Sequence, residues 1–549
     1  MSVTAVTANT TQVVDDCRSV SRMETAVEHR EGNSAQPIEP LRSYTNNLII
    51  GALAFATLVL HLLTNLYLMA NPHYGFHGDE LYFIACGDHL AWGYVDLPPL
   101  VPFLARVSRL LMGDSLVSIR FFPGLAHAGL VFLTGLTARA LGGDRFAQVL
   151  ASLSVLFAPV FLLPGNFLTT ALEPMWTVCA FLLILILRDH RSKLWLVFGI
   201  AAGLGFLNKH SMAFWGVGLV VGLLFAARDE FRSRWTWLGA GVALLIVLPN
   251  LAWEQHHHWV TLTALRQARD FNRLPFSFSN FWLTQVMLNG LAALPIWLAG
   301  LLFFLIAKEG RRYLAIGIAF VAVVAFLTLE NGKSYYLSPA IPVILAGGTV
   351  QIAAWSAKFR ARWLRPALLA AFATWGFIWM PMALPLLSPA TLVRYQNLLR
   401  YHGSKFEKSD IGAEIPTYFG NMIGWPEVVQ AVAQAYEKIP PAQRSQTAIL
   451  ANNYAQAGAV DLLGEKYGLP KAISGHENYW YWGPRGYTGA RIIGIGFSPE
   501  EARRNCAIVE VAATVDVPYA PDWTNGPVII CSDLRPTLPE LWRDLQRFH

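Results

Sequence analysis

Charge is scarce in this 549-residue chain: Asp, Glu, Lys and Arg together make up 14% of it, where soluble domains carry roughly a quarter. That shortage excludes a chain built only of water-soluble domains. Cysteine is scarce as well. Five cysteines are too few for a disulfide scaffold, and no pair has zinc-site spacing. Cys506 and Cys531 share the C-terminal segment and can pair if it lies outside the cytoplasm, although nothing in their spacing demands it. The net charge of +6 has no basic face with interleaved aromatics behind it, which excludes nucleic acid as a partner. Lys and Arg sit instead in short clusters between apolar runs, the pattern of topology signals and headgroup contacts.

What is abundant is apolar sequence, 54% of the chain, concentrated between residues 47 and 387. Residues 1–46 and 390–549 read as ordinary aqueous sequence. The first apolar run, Leu48 to Ala70, is too long for a signal-peptide core, and no small-residue cleavage site clearly follows it. It predicts an uncleaved cytoplasmic tail, 1–46, and a first spanning helix. A bilayer core takes about 20 apolar residues as helix. Spans are expected near 47–69, 118–141, 146–164, 168–187, 194–208, 211–227, 236–253, 283–307, 312–330, 335–353 and 366–387. The fold class is therefore mainly α, a polytopic bundle of about eleven transmembrane helices. The run 194–208 covers only about 22 Å, so it should end inside the membrane or tilt among neighbours.

Orientation follows from the short loops. With the N-terminus inside, the cytoplasmic loops hold fourteen Lys and Arg, among them Arg188, Arg191, Lys193, Arg228, Arg232, Lys358 and Arg365, against seven in the opposite loops. An odd number of spans then places 390–549 outside. On that outer side gather the long loop 70–117, the turns 165–170 and 208–210, the loop 254–282 and the turn 331–334.

The most informative stretch is His77-Gly78-Asp79-Glu80-Leu81-Tyr82-Phe83, just beyond the first span. Carboxylates at a membrane interface are desolvated, which raises their pKa and suits one to act as a base. The alternative is a pair of solvated acids favoured by a helix N-terminus. Residues 80–93 and 97–112 have amphipathic helical patterning, the second begun by Pro98-Pro99, and should lie along the outer surface.

Together with Gly93-Tyr94-Val95-Asp96-Leu97-Pro98-Pro99-Leu100, the Lys209 turn and Asn331-Gly332-Lys333-Ser334-Tyr335-Tyr336-Leu337-Ser338-Pro339, this stretch resembles the family 39 glycosyltransferases of the GT-C superfamily. That group includes protein O-mannosyltransferases and the lipid A aminoarabinose transferase. The resemblance covers roughly residues 47–390. It implies a bacterial inner-membrane enzyme that takes a sugar from a polyprenyl-phosphate donor and passes it, with inversion, to an acceptor hydroxyl outside the cytoplasm. The family's catalytic carboxylate falls on Asp79, with Glu80 beside it. The leaving phosphate is already anionic, so cationic side chains can stabilise it without a metal site or other cofactor. Many relatives carry Lys just before Pro-Pro; here that position is Leu97, with Asp96 ahead of it, and other cations must hold the phosphate.

Lys209, in the turn between two short apolar runs, is the foremost of these, since an ionisable residue near hydrocarbon is a functional candidate by default. Its bland reading is a snorkelling lysine. Lys333 follows, with Tyr335 and Tyr336 beside it as substrate-binding candidates or as an aromatic belt. Arg266 and Arg269 can grip phosphate bidentately or simply face headgroups. Asp96 and Glu173 complete the substrate-binding candidates. His256-His257-His258 invites a metal reading, but consecutive histidines cannot all face one ion in a regular element; no metal is expected. His127 reads as a satisfied core histidine, and Gly199 to Gly205 as helix-packing small residues.

The C-terminal segment alternates strand-like runs (Thr447 to Tyr454, Arg491 to Phe497, and from Ala507) with helical ones, which predicts a small extracytoplasmic α/β domain over 390–549. Its stretch Gly475-His476-Glu477-Asn478-Tyr479-Trp480-Tyr481-Trp482 is aromatic and polar, able to help hold an acceptor or to pack as a loop on the membrane body. Two other classes compete with the transferase. A secondary transporter would show internal repeats and midplane breaks; a polysaccharide polymerase or ligase would place its decisive loop late in the chain. The acceptor itself, whether glycan, lipid or protein, is not specified by sequence.

Overall fold

The structure is a computed structural model that describes residues 40–163, 174–272, 277–401 and 408–548. The chain divides into two compact units, Met1–Ile49 and Ile50–His549; the second contains the helical body and the C-terminal sheet. After α1 (Pro40–Ala70) come α2 (Gly78–Asp88) and α3 (Leu100–Met112) in the first loop. Then follow α4 (Phe121–Ala140), α5 (Arg145–Leu156), α6 (Pro174–Asp189), α7 (Leu194–Asn208), α8 (Met212–Ala226) and α9 (Arg234–His256). The helical body continues through α10 (Val260–Asn272), α11 (Phe278–Asn289), α12 (Leu294–Leu305), α13 (Leu314–Leu329), α14 (Ile341–Lys358) and α15 (Leu364–Ala383). Helix is the form in which an apolar segment satisfies all of its own backbone groups, and lipid offers no others.

Among the described residues, six helical stretches are long and apolar enough to cross a bilayer: Asn47–Ala70, Phe121–Ala140, Arg234–His256, Arg311–Leu329, Ser334–Lys358 and Leu364–Ala383. A seventh is gained if α11 and α12 are one span, bent by 95°. The expected eleven are thus not confirmed. The bend falls at Gly290, whose φ of +88° suits glycine and whose missing side chain leaves room for the Trp375 indole. α5, α7 and α8 are apolar but short; α7 keeps the expected bounds, Leu194–Asn208.

Burial sorts these helices. The span within Ser334–Lys358 is 78% buried, that within Arg234–His256 only 11%, so α14 runs through the centre and α9 along the periphery. α7 and α9 approach so closely that a Cβ on Gly199 would lie 2.1 Å from the Gly239 carbonyl oxygen, the small-residue contact expected of that stretch. His127 is satisfied, as expected: His61 Nε2 and His127 Nδ1 lie 2.8 Å apart, and His127 Nε2 lies 3.2 Å from the Val155 carbonyl.

The first loop departs from expectation in one respect. α3 is amphipathic, with Phe103, Leu110, Leu111 and Met112 exposed. α2, by contrast, does not lie along the surface. It ends at Asp88 and is buried at Glu80 through Gly87. Its run Leu81-Tyr82-Phe83-Ile84-Ala85-Cys86 is apolar all round, which marks a helix covered on every side. The cover comes from the C-terminal region, and a Cβ on Gly458 would meet the Leu81 backbone at 2.8 Å.

That region contains α16 (Trp425–Glu437), β1 (Thr447–Ala451), α17 (Tyr454–Leu463), β2 (Ile473–Ser474), α18 (Asn478–Trp482), β3 (Arg491–Ile495), β4 (Cys506–Val515) and β5 (Gly526–Leu534). The strands form one sheet in the order β2-β1-β3-β5-β4, with β1 parallel to β2 and β3, and β5 antiparallel to β3 and β4. Cys506 on β4 and Cys531 on β5 form a disulfide. α16 and α17 pack with α2 and the inner faces of β1, β3 and β5 in one apolar cluster.

Candidate functional site

The site begins at the N-terminus of α2, where three residues take three different jobs. His77 caps the helix: its Nδ1 accepts from the Asp79 amide at 3.1 Å. Burial holds its pKa down at about 3, so the ring is neutral and able to accept. Glu80 reaches back to the His77 amide at 2.8 Å, completing a capping box. The same carboxylate takes Arg120 bidentately, Nε to Oε1 at 2.8 Å and Nη2 to Oε2 at 2.7 Å. Both side chains are fully buried. Arg120 further donates to Asn65 Oδ1 and to the Gly75 carbonyl. Glu80 is therefore occupied on both oxygens and closed off from solvent.

Asp79 points the other way. Tyr454, at the start of α17, donates its hydroxyl to Asp79 Oδ1 at 2.8 Å. The carboxylate lies deep in the protein yet keeps 32% of its side-chain surface open, as a residue in the wall of a cleft does. Desolvation by burial raises its pKa, against the hydrogen bond from Tyr454 and the charges of Lys333 and Lys209, which act in the opposite direction. A raised carboxyl group with cations in reach is the electrostatic setting of a general base.

The two lysines come from the helical body. Lys209 stands in the α7–α8 turn, its Nζ over the rings of Tyr335 at 5.3 Å and Tyr336 at 5.8 Å; Lys333 Nζ lies 5.8 Å from the Tyr335 ring. Asn208, Lys209, Ser211, Met212, Tyr335, Tyr336 and Pro339 line a small open cleft. The structure thus gathers Asp79, Lys209, Lys333, Tyr335 and Tyr336, which sequence distributes over more than 250 positions.

Asp96 joins from the loop between α2 and α3. Tyr82 donates its hydroxyl to Asp96 Oδ1 at 3.1 Å. Burial and the neighbouring Asp79 charge push Asp96 up to about 7, Tyr82 opposing the rise. Its side chain is exposed at the surface. Leu97, which precedes Pro98-Pro99, is buried in the apolar cluster with Tyr94 and Val101. Arg266 and Arg269 occupy exposed positions on α10 and are not among the residues lining the cleft. Glu173 lies outside the described residues. The histidine run sits at the α9 end: His257 stacks on Trp253 at 3.9 Å and meets Tyr481 edge-on at 5.3 Å.

Tyr454 and Arg120 are the members that sequence reading missed. Tyr454 looks like the end of a strand, and Arg120 like a span-flanking charge. Only the isolation of Arg120 at the head of an apolar run hinted that it needs a buried partner.

Comparison with known proteins points in one direction. The sequence profile of the dolichyl-phosphate-mannose-protein mannosyltransferase family matches residues 96–253. Lipid A galacturonosyltransferase RgtD of Rhizobium johnstonii is 25% identical over 39% of this chain and 50% of its own length. Lipopolysaccharide core galacturonosyltransferase RgtB of the same organism is 27% identical over 51% and 55%. The undecaprenyl phosphate-alpha-4-amino-4-deoxy-L-arabinose arabinosyl transferase of Pseudomonas aeruginosa is 25% identical over 46% and 49%. The chain thus matches about half the length of these curated relatives. Among solved structures, ArnT from Cupriavidus metallidurans bound to undecaprenyl phosphate superposes with a TM-score of 0.55 at 15% identity, covering 88% of this chain and 97% of that one. The chain therefore has the fold of ArnT and resembles, over residues 96–253, the dolichyl-phosphate-mannose-protein mannosyltransferase family.

Proposed function

We propose that this chain is an inverting membrane glycosyltransferase of the family 39 type that takes a sugar from a polyprenyl-phosphate donor and hands it to an extracytoplasmic acceptor. The observation that carries the reading is that the charges of Lys209 and Lys333 act on the Asp79 carboxylate, with Lys209 lining a cleft, within a fold shared with a protein solved bound to undecaprenyl phosphate. Asp79 accepts the acceptor's hydroxyl proton as the new glycosidic bond forms on the face opposite the departing phosphate. Lys209 and Lys333 stabilise that phosphate, and Tyr335 and Tyr336 frame them. Glu80, ion-paired and buried, holds Asp79 in place rather than touching substrate. Arg266 and Arg269 on exposed α10 suit headgroups better than the reacting phosphate.

Residues 47–389 form the catalytic membrane body in this reading and 390–549 the extracytoplasmic part, with the N-terminus cytoplasmic and the enzyme in a bacterial inner membrane. The Cys506–Cys531 disulfide supports that orientation, because such bonds persist in oxidising compartments. In membranes prepared under non-reducing conditions, neither cysteine should react with a maleimide until reductant is added. Immediate labelling of both without reductant would remove this support.

The test of function is transfer of radiolabelled sugar from polyprenyl phosphate into a chloroform-soluble or glycan product by membranes containing the protein. Uptake of a soluble solute into sealed vesicles, with no such transfer, would favour the transporter instead. Mass spectrometry of surface glycans in a deletion strain identifies the acceptor.

The pH profile gives a second check. The base works only when ionised, so the rate falls as pH drops through the Asp79 pKa, which burial sets above the ordinary carboxylate range. The hydrogen bond from Tyr454 partly offsets that rise. Tyr454→Phe should therefore move the acid limb of kcat/KM to still higher pH while leaving most of the plateau. An unmoved limb would show that Tyr454 does not tune the base.

A further inference from the structure

The charges around Asp79 are not evenly spread. Lys209 and Lys333 act on it from the helical body, while Asp96 in the first loop adds a second carboxyl group beside it. The rings of Tyr82 and Tyr454 stack at 4.7 Å. Tyr82 donates to Asp96 and Tyr454 to Asp79, so two acids stand side by side on the hydroxyls of adjacent rings. Behind Asp96 comes a third, Glu477. It is 4% exposed, takes a left-handed φ of +49°, and its Oε2 has no hydrogen-bond partner among the described residues. Asn478 clamps the two segments together, its Oδ1 accepting from the Val95 amide at 2.7 Å. Burial and the Asp96 charge both raise the Glu477 pKa. A buried carboxyl oxygen without a donor, in a strained turn, is an unmet requirement.

Resting on the proposed polyprenyl-phosphate donor, we infer that Asp96, backed by Glu477, selects the donor's sugar by charge, receiving its hydroxyl or amino groups and turning away a sugar that bears a carboxylate. With the phosphate held at the lysines and the anomeric carbon facing Asp79, the sugar extends toward Asp96. Hydroxyl and ammonium groups supply the hydrogen-bond donors that paired carboxyls lack. A uronic acid brings one more negative charge beside carboxyl groups that already raise one another's pKa, and like charges repel. Relatives of this chain include transferases of both galacturonic acid and an amino sugar.

The experiment measures competition against labelled undecaprenyl phosphate on the purified full-length protein, using undecaprenyl phosphate itself and its galactosyl and galacturonosyl esters. These two sugars differ only in a hydroxymethyl against a carboxylate. The galacturonosyl ester should bind at least about tenfold more weakly than the galactosyl ester. Glu477→Gln and Asp96→Asn should shrink that gap at least threefold or so, while affinity for undecaprenyl phosphate, read in the same wells, certifies that each variant is folded. Equal or tighter binding of the galacturonosyl ester to the wild type overturns the inference, whatever the variants do. An unchanged gap in both folded variants overturns the assignment to this pair. If undecaprenyl phosphate itself fails to bind, the donor reading falls and takes the inference with it, an outcome distinct from the other two.

Discussion

Asp79→Asn should lower the transfer rate by about 10²–10⁴-fold, the range that a positioned general base contributes, without lowering the amount of folded protein. The amide keeps the shape and can still accept the Tyr454 hydrogen bond, so packing at the start of α2 is undisturbed. What is lost is the capacity to take a proton. KM for the donor should stay nearly constant, because Lys209 and Lys333 hold the phosphate independently of the base. Lys209→Ala should do the reverse in part, weakening donor binding as well as slowing the step, since a charge that meets phosphate in the ground state also meets it as it leaves. Full transfer by Asp79→Asn would remove this residue as the base and would leave the lysines without a reaction to serve.

The second large effect concerns folding. Arg120→Met should cost roughly 3–5 kcal/mol, because it strands the Glu80 carboxylate without its partner in a fully enclosed place. Glu80→Gln should cost less, since the amide retains a hydrogen-bond acceptor for the guanidinium and a donor besides. The measurements are yield of monodisperse protein and its thermal midpoint in detergent. The double variant Arg120→Met/Glu80→Met should recover part of the loss, as replacing a whole buried pair with apolar groups often does. Wild-type stability in Arg120→Met would show that water reaches Glu80.

Much of the membrane body was legible because apolar runs and Lys/Arg clusters report directly on lipid, whatever the tertiary structure. α7, with the bounds expected of it, is a case in point. The number of spans was not legible, because the break at Gly290 and the short α5 and α8 are decided by packing partners rather than by composition. Asp79, Lys209 and the Tyr335-Tyr336 pair could be picked out as polar groups in places where hydrocarbon makes them costly. The division of labour between Asp79 and Glu80 could not, since adjacent carboxylates look alike in sequence and differ only in which one Arg120 reaches. For the same reason α2 read as a surface helix: its cover arrives from about 370 residues downstream, as the close approach of Gly458 to Leu81 shows.

The covered helix α2 binds two tasks to one element. It carries the proposed proton acceptor and also serves as the floor for the downstream sheet and its helices, so the two ends of the chain are not interchangeable modules. Grafting the corresponding region of another transferase in order to change what is glycosylated would disturb the seat of the reacting carboxylate too. Divergence in acceptor choice along this lineage must then proceed by matched changes on both sides of the joint, and chimeras cut near residue 390 should be poor catalysts even when every residue that meets the sugar has been kept.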